Sequence, residues 1–164
     1  AKKAFVRAAE LAHAAGRKVA ITLSDSFCVD RHRDEFHALV EAHIDILFAN
    51  EDEICALYQV KNFNDAMQAV RGHCDIACLT RSEKGSVILS GDAVHVIDAE
   101  PASRILDTTG AGDQFAAGFL YGYTKGHDLA TCGVIGSIAA AEIIAHYGAR
   151  PEADLGALMR ARLG

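Results

Sequence analysis

The sequence predicts an α/β domain built on a mostly parallel sheet and carrying a β-hairpin. Three observations lead there. Short continuous apolar runs alternate with helically spaced stretches through the first half, and unbroken apolarity suits a strand buried on both faces. Two later strand-like runs flank Ser90-Gly91-Asp92, a hairpin signal. Two Ala- and Gly-rich helical stretches follow, completing the alternation of a layered α/β domain.

The elements follow in order. Residues 4–15 read as an amphipathic helix, with Gly16 placed to end it. Val19-Ala20-Ile21-Thr22-Leu23 is a short apolar run suited to a buried parallel strand. Helical spacing returns at residues 33–43 through Phe36, Leu39 and Val40, and residues 44–48 form a second strand ending at Ala49-Asn50. A helix over 51–58 opens with three acids, which suits its dipole. Residues 66–71 are helical and 76–80 form a third strand. The hairpin pairs 86–89 with 93–97. Helices are expected over 114–123, 129–147 and 155–163. Ala116, Ala117, Gly118 and Gly122 let the first of these pack closely on the sheet, and Ala139-Ala140-Ala141 does the same for the second.

Composition bounds the function. The 164 residues suffice for one compact domain, and 51% apolar with 23% charged content makes it globular. A net charge of -6 argues against a nucleic-acid surface or a basic membrane patch. No apolar run approaches a transmembrane length, and the opening residues do not read as a signal peptide. The five cysteines, Cys28, Cys55, Cys74, Cys78 and Cys132, include no C-x-x-C, so a reduced, cytoplasmic setting is expected. Cys74 and Cys78 have no second Cys or His pair to complete a metal site, which favours buried thiols. The eight histidines are scattered and lack H-E-x-x-H spacing.

The chemistry concentrates in Asp107-Thr108-Thr109-Gly110-Ala111-Gly112-Asp113, just ahead of a helical pattern. A glycine-rich turn that opens a helix presents free N–H groups and the positive end of the dipole, an anion site for which phosphate is the usual occupant. A carboxylate at its rim repels phosphate, so Asp113 makes sense as a base that takes a proton from an attacking hydroxyl. A helix N-cap with a glycine turn is the plain alternative.

Ligands of open α/β sheets gather at the carboxyl ends of strands, and two further motifs fall there. Asn50-Glu51-Asp52-Glu53 crowds three acids, a repulsion that hydrated Mg²⁺ relieves, although helix starts favour acids in any case. Thr80-Arg81-Ser82-Glu83-Lys84-Gly85 is a turn whose hydroxyl and glycine can approach a nucleotide closely, or an ordinary charged turn. Small residues on the helix through Ser137 and Ala140 leave room for a flat ring such as adenine, or serve close helix packing.

Together these motifs resemble the ribokinase-like (PfkB) carbohydrate and nucleoside kinases. D-T-x-G-A-G-D matches the family signature, Asn50 and Glu53 match its N-x-x-E motif, and Thr80 and Gly85 match its T-x-G-x-x-G segment, with Ser82 where Gly is common. The resemblance spans nearly the whole chain and looks closest to the adenosine kinase and sugar kinase branch. It implies a three-layer ribokinase-like fold and ATP-dependent phosphorylation of a hydroxyl of a sugar or nucleoside. Asp113 would be the base, with the N–H groups of Gly110, Ala111 and Gly112 holding the developing charge. Thr80, Gly85, Thr108, Ser137 and Ala140 would line the ATP. Asn50 and Glu53 would act on Mg²⁺ through water. Gly148-Ala149-Arg150 resembles a loop that, with Asp107 and Thr109, holds a monovalent cation such as K⁺ in some members.

The resemblance also implies what the chain does not contain. The family's N-terminal half, its β-sheet lid, its N-terminal glycine pair and its sugar-binding acid would all lie before Ala1. The chain is therefore expected to be the C-terminal portion of a longer kinase, a poor catalyst alone, with homodimers pairing through the lid in the full-length protein. Two other readings exist. A dinucleotide-binding oxidoreductase needs G-x-G-x-x-G, but Phe115 holds the third glycine place. A non-catalytic nucleotide-binding module on the same scaffold is the other.

Overall fold

The computed structural model describes residues 2–164. Its elements are α1 (Lys2–Ala14), β1 (Ala20–Thr22), α2 (Ser26–Arg31), α3 (Arg33–His43), β2 (Ile46–Asn50), α4 (Glu51–Tyr58), α5 (Phe63–Val70), β3 (Ile76–Thr80), β4 (Ser86–Ser90), β5 (Ala93–Ile97), α6 (Ala111–Thr124), α7 (Leu129–Ile143) and α8 (Leu155–Leu163). The strands form one open, mostly parallel sheet in the order β1-β2-β3-β4-β5. Within it β1 pairs β2 in parallel, with Ala20 opposite Ile46 and Thr22 opposite Phe48. No helix among the described residues is long and apolar enough to cross a membrane.

The chain divides into two compact units, Ala1–Leu79 with Leu89–Val94, and Thr80–Ile88 with His95–Gly164. In the first, α1 ends where expected. The Arg17 N–H returns to the Ala12 carbonyl and the Gly16 N–H to that of His13, both at 2.9 Å, closing the last turn. Successive residues of β2 and β3, from Ile46 to Ala49 and from Ile76 to Leu79, are all buried, as strands covered on both faces require. Ile54, Leu57, Phe63 and Val70 supply the buried faces of α4 and α5. The short helix α2 falls where the sequence pattern signals no element. Asp25 caps it by accepting the N–H groups of Phe27 and Cys28.

In the second unit α7 is buried nearly all round, with Cys132, Ile135, Ile138, Ala139 and Ile143 in the core. The small residues of α6 serve a different contact from the one expected. A methyl group placed on Gly118 would stand 2.7 Å from the Ile135 carbonyl oxygen, so α6 uses its glycine to reach the backbone of α7 rather than the sheet. Ala117, expected to help there, is exposed. Helix α7 stops at Ile143 instead of running to residue 147. All five cysteines are thiols, and only Cys78 and Cys132 are buried, so the expectation of buried thiols holds for Cys78 but not fully for Cys74, which is half-buried.

Candidate functional site

The turn that opens α6 has an unusual start. Gly110 is its N-cap, with φ +81° and ψ 1°, and no side chain caps the helix. Ordinary N-caps sit in the β region and supply a side-chain acceptor. Here the local order comes from Asp107, whose Oδ1 accepts the Thr109 N–H at 2.9 Å. A left-handed backbone at Gly110 then turns the chain into the helix, and it leaves no room for a side chain. A Cβ there would lie 2.8 Å from the Ala149 Cβ.

The N–H groups of this turn divide into two sets. Ala111 donates to the Thr108 carbonyl at 3.1 Å, and Gln114 to that of Gly110 at 2.9 Å. The N–H groups of Gly110, Gly112 and Asp113 have no acceptor among the described residues. Three open donors at the positive end of a 14-residue helix suit an anion. This differs from the expectation in one respect. The N–H of Ala111 is already engaged by Thr108, and that of Asp113 joins Gly110 and Gly112 in its place. Asp113 lies in the first turn of α6 and is exposed, as are Thr108, Thr109 and Gly112.

A second segment meets this turn. Asp107 Oδ2 accepts the Gly148 N–H at 3.2 Å. Hydrogen bonds from the Thr109 hydroxyl, the Thr109 N–H and the Gly148 N–H hold the Asp107 carboxyl below its usual range. Upstream, Leu106 donates to the Ile144 carbonyl at 2.9 Å and Arg104 Nε to that of Ala145 at 2.8 Å. The chain leading into the signature thus runs along the end of α7.

That end of α7 holds polar groups whose linkage was not foreseen. Glu142 Oε1 accepts the N–H groups of Glu152 and Ala153, both at 2.9 Å, and lies 3.2 Å from His146 Nε2. Burial opposes ionisation of Glu142, but these donors outweigh it and lower its pKa. Burial likewise disfavours a charged His146, while its bonds to the Tyr147 carbonyl and Glu142 raise its pKa. A cleft of about 610 Å³ opens beside these groups, walled by residues 100–104, by Ile138 and Ala141 of α7, by Ala145 just beyond it, and by Leu158 and Arg162 of α8. Neither Ser137, which is buried, nor Ala140 lines it. The one sequence signal was the four-residue spacing of Glu142 and His146 near a helix end.

Thr80 ends β3, half-buried, and the turn after it is tight. Arg81 donates to the Gly85 carbonyl at 2.8 Å, and Gly85 to that of Ser82 at 3.1 Å. Gly85 has φ +79°, and a Cβ there would fall 2.0 Å from the Ile97 carbonyl oxygen. Ser82, which stands where the resemblance expects glycine, takes φ +51°. A positive φ is uncommon for a residue other than glycine.

In the first unit, Asn50 and Glu53 form a complete capping box. Asn50 Oδ1 accepts the Glu53 N–H at 2.8 Å, and Glu53 Oε2 accepts the Asn50 N–H at 2.9 Å. Asn50 Nδ2 also donates to Glu53 Oε1 at 2.8 Å. The helix-start reading therefore accounts for both residues.

Comparison with known proteins defines the class. The model of the pfkB family carbohydrate kinases matches residues 1–154, and the chain belongs to that family. It is 39% identical over 106 residues to an uncharacterized sugar kinase of Archaeoglobus fulgidus, covering 64% of this chain and 42% of that protein. Among solved structures, a probable sugar kinase from Rhizobium etli superposes with a TM-score of 0.95 at 44% identity, over 98% of this chain and 49% of the other. The adenosine kinase from Sinorhizobium meliloti gives the same TM-score and identity over 98% and 50%. The chain thus spans half or less of the length of each. Its α/β fold is that of the ribokinase family.

Proposed function

We propose that this chain is the nucleotide-handling and base-bearing portion of an ATP-dependent kinase that phosphorylates a hydroxyl of a sugar or nucleoside. One observation carries the reading. The first turn of α6 presents three N–H groups, from Gly110, Gly112 and Asp113, that have no acceptor among the described residues, and sets the Asp113 carboxylate on the same turn. Kinases and adenosine kinase among similar proteins favour the same chemistry.

In this reading Asp113 accepts the proton of the acceptor hydroxyl as its oxygen attacks the γ-phosphorus of ATP and the bond to ADP breaks. The three N–H groups face the charge on the transferring phosphoryl oxygens, a fixed and preorganised stabilisation. Ala111 acts differently, by locking the turn through Thr108. Thr80, Gly85 and Thr108 lie along the nucleotide, and Ser137 and Ala140 support the helix beside its adenine. Asn50 and Glu53 contact Mg²⁺ through water, and that ion, when bound, neutralises phosphate charge. K⁺ at Asp107 and Thr109 has less support, because both Asp107 oxygens already accept backbone N–H groups.

Titration of the chain with ATP, with and without Mg²⁺, tests the nucleotide half of this proposal. Binding that strengthens with Mg²⁺ is expected, and its absence contradicts the reading. A panel of sugars and nucleosides on the full-length protein then identifies the acceptor. ATP binding with no turnover on any acceptor would instead mark a non-catalytic module.

A further inference from the structure

Three side chains of the first unit converge away from every motif described above. His37 and Glu41 stand one turn apart on the same face of α3, and His73 lies in the turn between α5 and β3. His37 Nδ1 is 3.4 Å from Glu41 Oε2, and His73 Nδ1 is 3.3 Å from Glu41 Oε1. One ligand atom from each residue can be chosen so that all lie within 4.8 Å of one another. Tyr58 closes another side, its ring centroid 5.3 Å from that of His37 and 5.5 Å from that of His73. The two imidazoles meet edge to face at 87°.

An ordinary His–Glu ion pair would satisfy its nitrogen with a hydrogen bond. His73 Nδ1 is buried and makes none, although a carboxylate oxygen is close by. The Tyr58 hydroxyl is also buried without a partner. The two imidazoles face different oxygens of one carboxylate, and with one ligand atom from each residue within 4.8 Å of the others the three can surround one ion. Tetrahedral bonds of about 2.0–2.2 Å to nitrogen and oxygen set neighbouring ligand atoms about 3.3 Å apart. The donor set is equally selective. Two imidazoles with one carboxylate suit zinc-like ions, whereas Mg²⁺ and Ca²⁺ take oxygen ligands.

We propose that His37, Glu41 and His73 bind a divalent transition-metal ion of the Zn²⁺ type, with water in the fourth position. The ion pins α3 to the turn that leads into β3. Cys74 is not a ligand in this assignment, because its Sγ donates to the Ile76 carbonyl at 3.4 Å.

Calorimetric titration of the metal-free, thiol-blocked chain with ZnCl₂ tests the site, alongside Glu41→Gln and His73→Asn. Blocking the thiols removes binding by exposed Cys28. The expected result is one Zn²⁺ per chain, a rise in Tm on its addition, and no displacement by equimolar Mg²⁺. Each substitution should weaken binding at least about tenfold, since even outer-shell changes at metal sites cost that much. Glu41 is half-exposed on a helix, so Glu41→Gln keeps the fold and decides the matter if His73→Asn does not. Absence of stoichiometric binding overturns the proposal, and so does unchanged Zn²⁺ affinity in Glu41→Gln.

Discussion

Asp107 and Gly148, 41 residues apart, are joined by a hydrogen bond of 3.2 Å from the glycine N–H to Oδ2. The other oxygen of the same carboxylate orders the Thr109 turn. One side chain therefore holds the signature turn both to itself and to the segment after α7.

This bond has a pH signature. The donors around Asp107 depress its pKa in the folded chain, below the value of about 3.9 of an unfolded aspartate. Its contribution to stability is complete above that unfolded value and is lost as pH falls through the lower folded one. Asp107→Asn should lower Tm at neutral pH, and the gap to wild type should close on acidification below about pH 4. Thermal melts of both chains across this range check it, and a gap independent of pH counts against the role given to the carboxylate.

The capping box makes a separate prediction. Asn50→Ala removes the acceptor for the Glu53 N–H and should cost about 1 kcal/mol in urea unfolding. The same variant separates two roles. If Asn50 also serves a hydrated cation, Mg²⁺ should enhance ATP binding less than in wild type. An unchanged enhancement would leave Asn50 as a cap alone.

Two glycines should respond unequally to alanine. At Gly110 the left-handed backbone costs about 1–2 kcal/mol, and the added methyl would lie 2.8 Å from the Ala149 Cβ, a contact relieved only if the backbone around Ala149 moves. At Gly85 the methyl would meet the Ile97 carbonyl in the hairpin backbone, which cannot move alone. Gly85→Ala should therefore destabilise more than Gly110→Ala in chemical unfolding, while Gly110→Ala should have the greater effect on ATP affinity. The reverse order would contradict the packing described.

The structure divides cleanly between what local pattern reveals and what it hides. Helix α3, helix α4, strand β3 and helix α8 fall where periodicity and caps place them, because their signals are contained in a few turns. Helix α2 is not marked by periodicity, since its six residues carry no apolar stripe and Phe27 is 80% exposed. Helix α7 is shorter than its apolar spacing to residue 147 suggests, because after Ile144 the Ala145 N–H turns back only three residues, to the Glu142 carbonyl at 3.1 Å. The signature is legible because one contiguous turn carries it. The Asp107–Gly148 bond joins residues distant in sequence, and although Glu142–His146 and His37–Glu41 show helical i,i+4 spacing, their further partners at Glu152, Ala153 and His73 are announced by no spacing rule. Which N–H of the signature is already taken depends on the φ of Gly110, a torsion that composition permits but does not fix.

The central claim is that Asp113 is the base of a phosphoryl transfer. Replacing it by asparagine keeps the size and the helix start while removing the proton acceptor. In the full-length protein with its acceptor and MgATP, Asp113→Asn should lower kcat by roughly 10²–10⁴-fold and leave ATP affinity nearly unchanged. Turnover within a few-fold of wild type would contradict it.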